Sequence, residues 1–164
     1  MDSARRIDPV NCSVARALSV IGERWSLLIV REAIDGASRF GDFRDRLGIA
    51  SNLLAARLDS LVEAGVLQRI PYQEPGTRQR YEYRLTESGL DLRPTLVAML
   101  EWGDKYVADP AGPSVVVRHH TADNEHDCEE PAGIVLECAA GHTHLPPSAI
   151  HRTPGPGARF VKSV

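Results

Sequence analysis

Chemistry in this chain begins with a handful of side chains. Asn52 and Arg57 share one stretch, and an amide and a guanidinium are the groups that pair with the edges of adenine and guanine. Arg78 and Arg80 follow a Pro75-Gly76 turn, where two guanidiniums suit phosphate or the minor groove. Each has a plainer alternative: Arg57 as an exposed arginine paired with an acid such as Asp45, and Arg78 with Arg80 as a solvated hairpin tip. Cys12 precedes a helical stretch, whose dipole favours the thiolate. A small buried hydrophobe is the other reading of that residue. Cys128, Cys138 and His142, with His126 or His120 as a fourth ligand, are donor types that zinc takes. However, Cys138-Ala139-Ala140-Gly141 lacks a second thiol and no C-x-x-C pair occurs, so these are weak metal candidates. The tail is expected to fold without a metal or any other cofactor. No glycine-rich phosphate loop, H-E-x-x-H or G-x-S-x-G is present, and no catalytic residue is assigned.

Apolar spacing predicts the elements that must hold these groups. Val14, Leu18 and Ile21 give a short helix ending at Gly22, and Trp25, Leu28, Ile29 and Ala33 a second that stops at Asp35-Gly36. Phe43 and Leu47 fit a third, closed by Gly48. Ser51 reads as the N-cap of a fourth, about Ser51–Ala64, with Leu54, Leu58, Leu61 and Val62 as its apolar stripe and Gly65 as its C-cap. Short helices in quick succession are the skeleton of a helix-turn-helix. A hairpin follows, from Val66–Ile70 to Tyr81–Leu85, with a wing tip at about Pro75–Arg80. In such a winged helix the second helix of the turn enters the major groove, where Ser51, Asn52, Leu53, Ala55, Ala56 and Arg57 would meet base edges. Thr86 is expected to cap a long helix to about Val107, bent at Pro94. Beyond Asp109-Pro110, Val115–Val117 and Ile134–Leu136 read as two strands before an irregular Pro/Gly tail. The fold class is therefore α+β, mainly α: a winged helix-turn-helix with terminal dimerisation helices and a small β-containing C-terminal extension. The predicted division is 1–107 for the winged-helix domain and 108–164 for the extension.

Composition sets the limits. The 164 residues are 43% hydrophobic and 25% charged, as in an ordinary folded domain. No apolar run approaches the roughly 18–20 residues of a membrane span. The charged N-terminus does not read as a secretory signal, and three cysteines in a mid-sized chain suit a reducing compartment, so a cytoplasmic location is expected. The net charge of −3 comes wholly from residues 108–164, which also hold all six histidines. Residues 39–80 carry seven arginines against five acids, a local excess where nucleic acid would bind. Two other function classes fit less of the sequence. One is a metal-binding protein or metal-dependent enzyme built on the Cys/His-rich tail, and the other a winged-helix protein–protein adaptor.

The order of motifs resembles a known family. Ile21-Gly22-Glu23-Arg24-Trp25, the Arg39-Phe40…Phe43 turn, the Ser51…Leu54…Arg57-Leu58…Leu61…Ala64-Gly65 helix and Tyr83…Leu85-Thr86…Gly89 are together similar to the HxlR group of MarR-like winged-helix regulators. The likeness runs from Cys12 to Gly103. It implies a homodimer joined by terminal helices, double-stranded operator DNA as the partner, and no catalysis. By position, Arg57 matches the family's recognition-helix arginine, while Trp25, Phe40 and Phe43 match its core. Cys12 matches a thiol that senses redox change or electrophiles in several relatives, which implies a redox or small-molecule effector. The wing departs from the usual Pro-Pro-x-Val-Glu-Tyr pattern and is more basic. The tail resembles a degenerate zinc-ribbon remnant of longer members, which also share an ending like Gly155-Pro156-Gly157. Dimerisation has a physical motive as well: Leu90, Leu92, Leu96, Val97, Met99, Leu100 and Trp102 exceed what a small core can cover, and paired half-sites enlarge a modest DNA interface.

Overall fold

The computed structural model describes residues 6–73, 75–76, 78–119 and 130–161. It divides into two compact units, Met1–Leu92 with Arg152–Val164, and Arg93–His151. The cuts fall at Arg93 and Arg152, whereas the sequence placed a single boundary after residue 107.

The first unit is built on four helices and a hairpin: α1 (Ser13–Ile21), α2 (Arg24–Ile34), α3 (Phe40–Leu47), α4 (Ser51–Glu63), β2 (Leu67–Tyr72) and β3 (Arg80–Leu85). A short β1 (Arg6–Ile7) precedes them, and α5 (Glu87–Leu90) follows. Ile29 and Val30 of α2, Phe43 of α3 and Leu54, Leu58 and Leu61 of α4 are fully buried in one core, whereas of the stripe predicted for α1 only Ile21 is buried and Val14 and Leu18 are exposed. Phe43 meets Tyr83 of β3 edge-on, with ring centroids 6.4 Å apart. Trp25 and Phe40, expected in the core with Phe43, are only half-buried. Asp42 starts α3 by accepting the backbone N–H groups of Arg39 (2.9 Å) and Ser38 (3.3 Å). Those bonds hold its carboxyl below the usual aspartate range, the Arg39 amide foremost.

Two local expectations are corrected here. The N-cap of α4 is Ala50, and Ser51 is the first helical residue with no capping bond across the junction. Gly48 closes α3 with a left-handed φ of 61° and Ile49 is buried, which fixes the turn so that Ala50 is the last extended residue. Downstream, the long helix expected from Thr86 is two helices, α5 and α6 (Arg93–Tyr106). Thr86 does cap, accepting the Gly89 N–H at 3.2 Å, but α5 ends at Leu90 with Asp91 as its C-cap. Pro94 then sits in the first turn of α6, where its missing N–H costs nothing, and so bends no helix interior.

The α4–wing junction shows why its residues are what they are. Gly65 adopts φ 71°, so its N–H reaches Val62 while Val66 N–H reaches Leu61, a Schellman turn that starts β2. Thr86 donates its hydroxyl to Gly65 O at 2.5 Å. Gly89 packs so closely that an added Cβ would lie 2.3 Å from the Val66 carbonyl oxygen. β2 and β3 pair antiparallel from Leu67↔Leu85 to Tyr72↔Arg80, and Ser38 O accepts Tyr83 N–H at 2.7 Å to extend the sheet. The sequence read the end of the chain as irregular, yet β4 (Phe160–Val161) pairs with β1. Asp8 N–H and Arg159 O, and Arg159 N–H and Asn11 Oδ1, continue that contact toward Cys12.

In the second unit, α6 buries no residue, and Met99, Trp102 and Tyr106 are at least half exposed. The strands expected at Val115–Val117 and Ile134–Leu136 do not form among the described residues; only a single bridge joins Arg118 and Pro131. Proline at 113 and 131 removes ladder donors, and the Ile134 N–H goes to Glu101 of α6 at 2.9 Å. Residues 136–145 instead form a tight turn, with Cys138 N–H on His142 O and Leu145 N–H on Leu136 O.

Candidate nucleic-acid interface

Helix α4 is amphipathic, and that decides which predicted readers are available. With Leu54, Leu58 and Leu61 facing inward, Ser51, Asn52 and Ala56 are exposed, while Leu53 and Ala55 are half-buried on its flanks. The small Ala56 and the short Ser51 leave room for close approach beside the Asn52 amide. Farther along the exposed side come Asp59 and Ser60.

Arg57 stands apart from that outer row. It flanks the buried stripe with 27% of its side chain exposed, and its Nη2 lies 3.3 Å from Glu23 Oε2. Its Nε is sealed from solvent and has no hydrogen-bond partner among the described residues. The acid that pairs with Arg57 is thus Glu23, at the start of α2, whereas Asp45 is held by its neighbour Arg44 at 2.8 Å. Sequence spacing could not reveal this contact, since it joins residues on separate helices.

The wing is tied to α4 by side chains the sequence reading missed. Arg69 of β2 bonds Asp59 of α4, and its guanidinium lies about 6 Å from the Tyr81 and Tyr83 rings. Arg39 covers the Tyr72 ring at 4.7 Å and lies 3.6 Å from Glu82. Arg84 also reaches Glu82 at 3.0 Å, and that bond is the main reason the Glu82 carboxyl sits below its usual range. Arg78 lies in the loop of the hairpin, whereas Arg80, placed at the wing tip by the sequence, opens β3 opposite Tyr72; both are exposed. Opposite charges on alternate strand positions were the available signal for the clasp.

Cys12 occupies the N-cap of α1 and is half-buried. Its side chain makes no capping bond, yet the nearby backbone amides of Ala15 and then Val14 hold the thiol's pKa below the ordinary value, with smaller contributions from Arg152 and Arg16. Arg152 arrives on the segment that leads to β4. Of the weak metal candidates, Cys128 lies outside the described residues, as do His120 and His126. Cys138 Sγ and His142 Nδ1 are 3.2 Å apart on the exposed turn, and no group of three or more metal-ligating side chains occurs among the described residues. Also among the described residues, no helix is long and apolar enough to cross a membrane.

Against this geometry, the model of the HxlR-like helix-turn-helix family matches residues 20–110. The chain belongs to that family. It is a transcriptional regulator with a helix-turn-helix domain, and its mostly helical winged fold is the one its relatives share. An uncharacterized HTH-type transcriptional regulator of Mycobacterium tuberculosis (strain H37Rv) is 43% identical over 145 residues, 88% of this chain and 87% of that protein. A solved candidate transcription factor is 39% identical with a TM-score of 0.73, covering 88% of this chain and 95% of the other. The redox regulator HypR in its reduced form is 34% identical with a TM-score of 0.52, covering 57% of this chain but 92% of its own. HypR covers 57% of this chain, whereas the other two relatives cover 88% and so also match part of the extension of this HxlR-like chain.

Proposed function

We propose that this HxlR-like regulator binds operator DNA as a homodimer in the cytoplasm and changes its affinity when Cys12 is oxidised or alkylated. The observation that carries the first part is the outward face of α4: Ser51, Asn52 and Ala56 are exposed on a helix whose opposite face is locked into the core. That helix supplies the major-groove readers, with Leu53 and Ala55 as apolar flanks able to meet a thymine methyl and Arg57 reaching a base from the side. Arg78 and Arg80 hold the backbone or enter the minor groove. No step in this account calls for catalysis or a cofactor. The effector reading is supported by the thiolate-favouring setting of Cys12 and by the likeness to HypR, itself named a redox regulator. The domain assignment 1–107 for DNA binding and dimerisation, with 108–164 as an accessory extension, is part of the same proposal.

Reading and holding are separable by mutation. Arg57→Ala is expected to cost about 1–3 kcal/mol on a duplex selected by the wild-type protein, and much less on a scrambled one. Arg78→Ala with Arg80→Ala should weaken both duplexes alike. It should also flatten the slope of log affinity against log salt by nearly 2 per protomer, since each phosphate contact contributes about 0.9. Equal losses on both duplexes from Arg57→Ala, together with a sharply lower melting temperature, would make Arg57 a structural ion-pair partner and leave reading to Asn52.

A further inference from the structure

We infer that Glu23 is a positioning residue for DNA reading: from the start of α2 it fixes one edge of the Arg57 guanidinium and sets where the remaining N–H groups point. This rests on the proposed base contact of Arg57. Glu23 holds the N-cap position of α2 with extended backbone angles, yet its side chain makes no capping bond. Glutamate is a poor cap in any case, compared with Ser, Thr, Asp or Asn. Its carboxylate instead reaches α4, with Oε2 at 3.3 Å from Arg57 Nη2, and it does so while 64% exposed. An acid at that surface would repel phosphate unless a cation neutralised it, and Arg57 is the cation provided.

The donor arithmetic supports a shared guanidinium. Arginine offers five N–H groups in a rigid fork. Glu23 lies 3.3 Å from Nη2, and Nε is enclosed without an acceptor among the described residues. With Nη2 beside an acid and Nε enclosed, Nη1 is the end left to meet a base. With Glu23 in place the arginine meets a base edge already oriented. Without it, the long side chain must be ordered at the moment of binding.

The test is a double-mutant cycle on two duplexes: one selected by the wild-type protein from a random pool, and a scrambled one of equal composition. Glu23→Gln should reduce the affinity ratio between them by about tenfold, a coupling typical of residues in direct contact. In an Arg57→Ala background the same change should do nothing further. Glu23→Asp keeps the charge but shortens the reach, and it should lose discrimination as Glu23→Gln does. Thermal melts of each variant establish that the fold is intact, and Glu23→Asp serves if Glu23→Gln is unstable. Tighter binding of Glu23→Gln to both duplexes alike, with Glu23→Asp unchanged, would make Glu23 a simple repulsive charge and overturn the inference. Unchanged discrimination in both Glu23 variants while Arg57→Ala loses it would overturn the inference and leave Arg57 as a reader. If Arg57→Ala itself keeps full discrimination, both fall together.

Discussion

At the scale of single residues, Cys12 shows how much depends on neighbours distant in sequence. Its place ahead of α1 was legible, and so was the general pull of a helix N-terminus on a thiol. The amides of Ala15 and Val14 supply most of that pull, but Arg152 comes from the far end of the chain and no local pattern announced it. With the thiol's pKa lowered, the thiolate fraction at neutral pH rises. In a protein carrying Cys128→Ser and Cys138→Ser, alkylation of Cys12 by iodoacetamide should therefore reach half its maximal rate at a lower pH than an unstructured cysteine peptide does. Arg152→Ala should move that midpoint upward, by less than the helix contribution. A midpoint at or above the ordinary value would deny Cys12 its thiolate character. As a sensor, Cys12 should lose DNA affinity on diamide treatment in the wild type, and Cys12→Ser should remove the response.

At the scale of elements, the winged-helix skeleton was readable because its signals are local. Leu54, Leu58 and Leu61 repeat at helical spacing and are all fully buried, and Gly48 and Gly65 mark real helix ends. Most of the failures involve longer-range contacts. The β1–β4 pairing is decided by partners far apart in sequence, and so in part is the loss of the two tail strands. Ile134, for instance, gives its N–H to Glu101 rather than to a neighbouring strand. Arg57 belongs with these, since its acid partner sits on another helix. The junction between β3 and α5 was read as a cap, but its tightness was not legible. Gly89→Ala would drive a methyl to 2.3 Å from the Val66 carbonyl oxygen and 2.8 Å from Leu85 Cδ2. Backbone cannot move aside cheaply, so the substitution should destabilise the protein by about 1–3 kcal/mol in urea unfolding. A change within error would mean that α5 lifts away from β2 without cost.

At the scale of the whole molecule, the sum of charges is a poor guide and its distribution a better one. The net −3 arises in the extension, while the wing tip and α4 lie in a stretch with an arginine excess. Apolar exposure is the second molecular feature. Val14 and Leu18 of α1 are more than half exposed, as are Met99, Trp102 and Tyr106 of α6. Exposed apolar side chains on the terminal helices favour a non-covalent dimer. A homodimer should persist when Cys12, Cys128 and Cys138 are all replaced by serine, and light scattering that gives a monomer at micromolar concentration would refute it.

The central claim is that α4, presented twice, reads duplex sequence. Selection of bound duplexes from a random pool tests it most directly. The account predicts enrichment of two inverted half-sites, their centres about 10–10.5 base pairs apart or a multiple of that. It also predicts that Asn52→Ala selects a different base at one position of each half-site, because an asparagine amide pairs with adenine. A pool that stays random at low salt, or an enriched sequence unchanged by substitutions along the exposed face of α4, would contradict it.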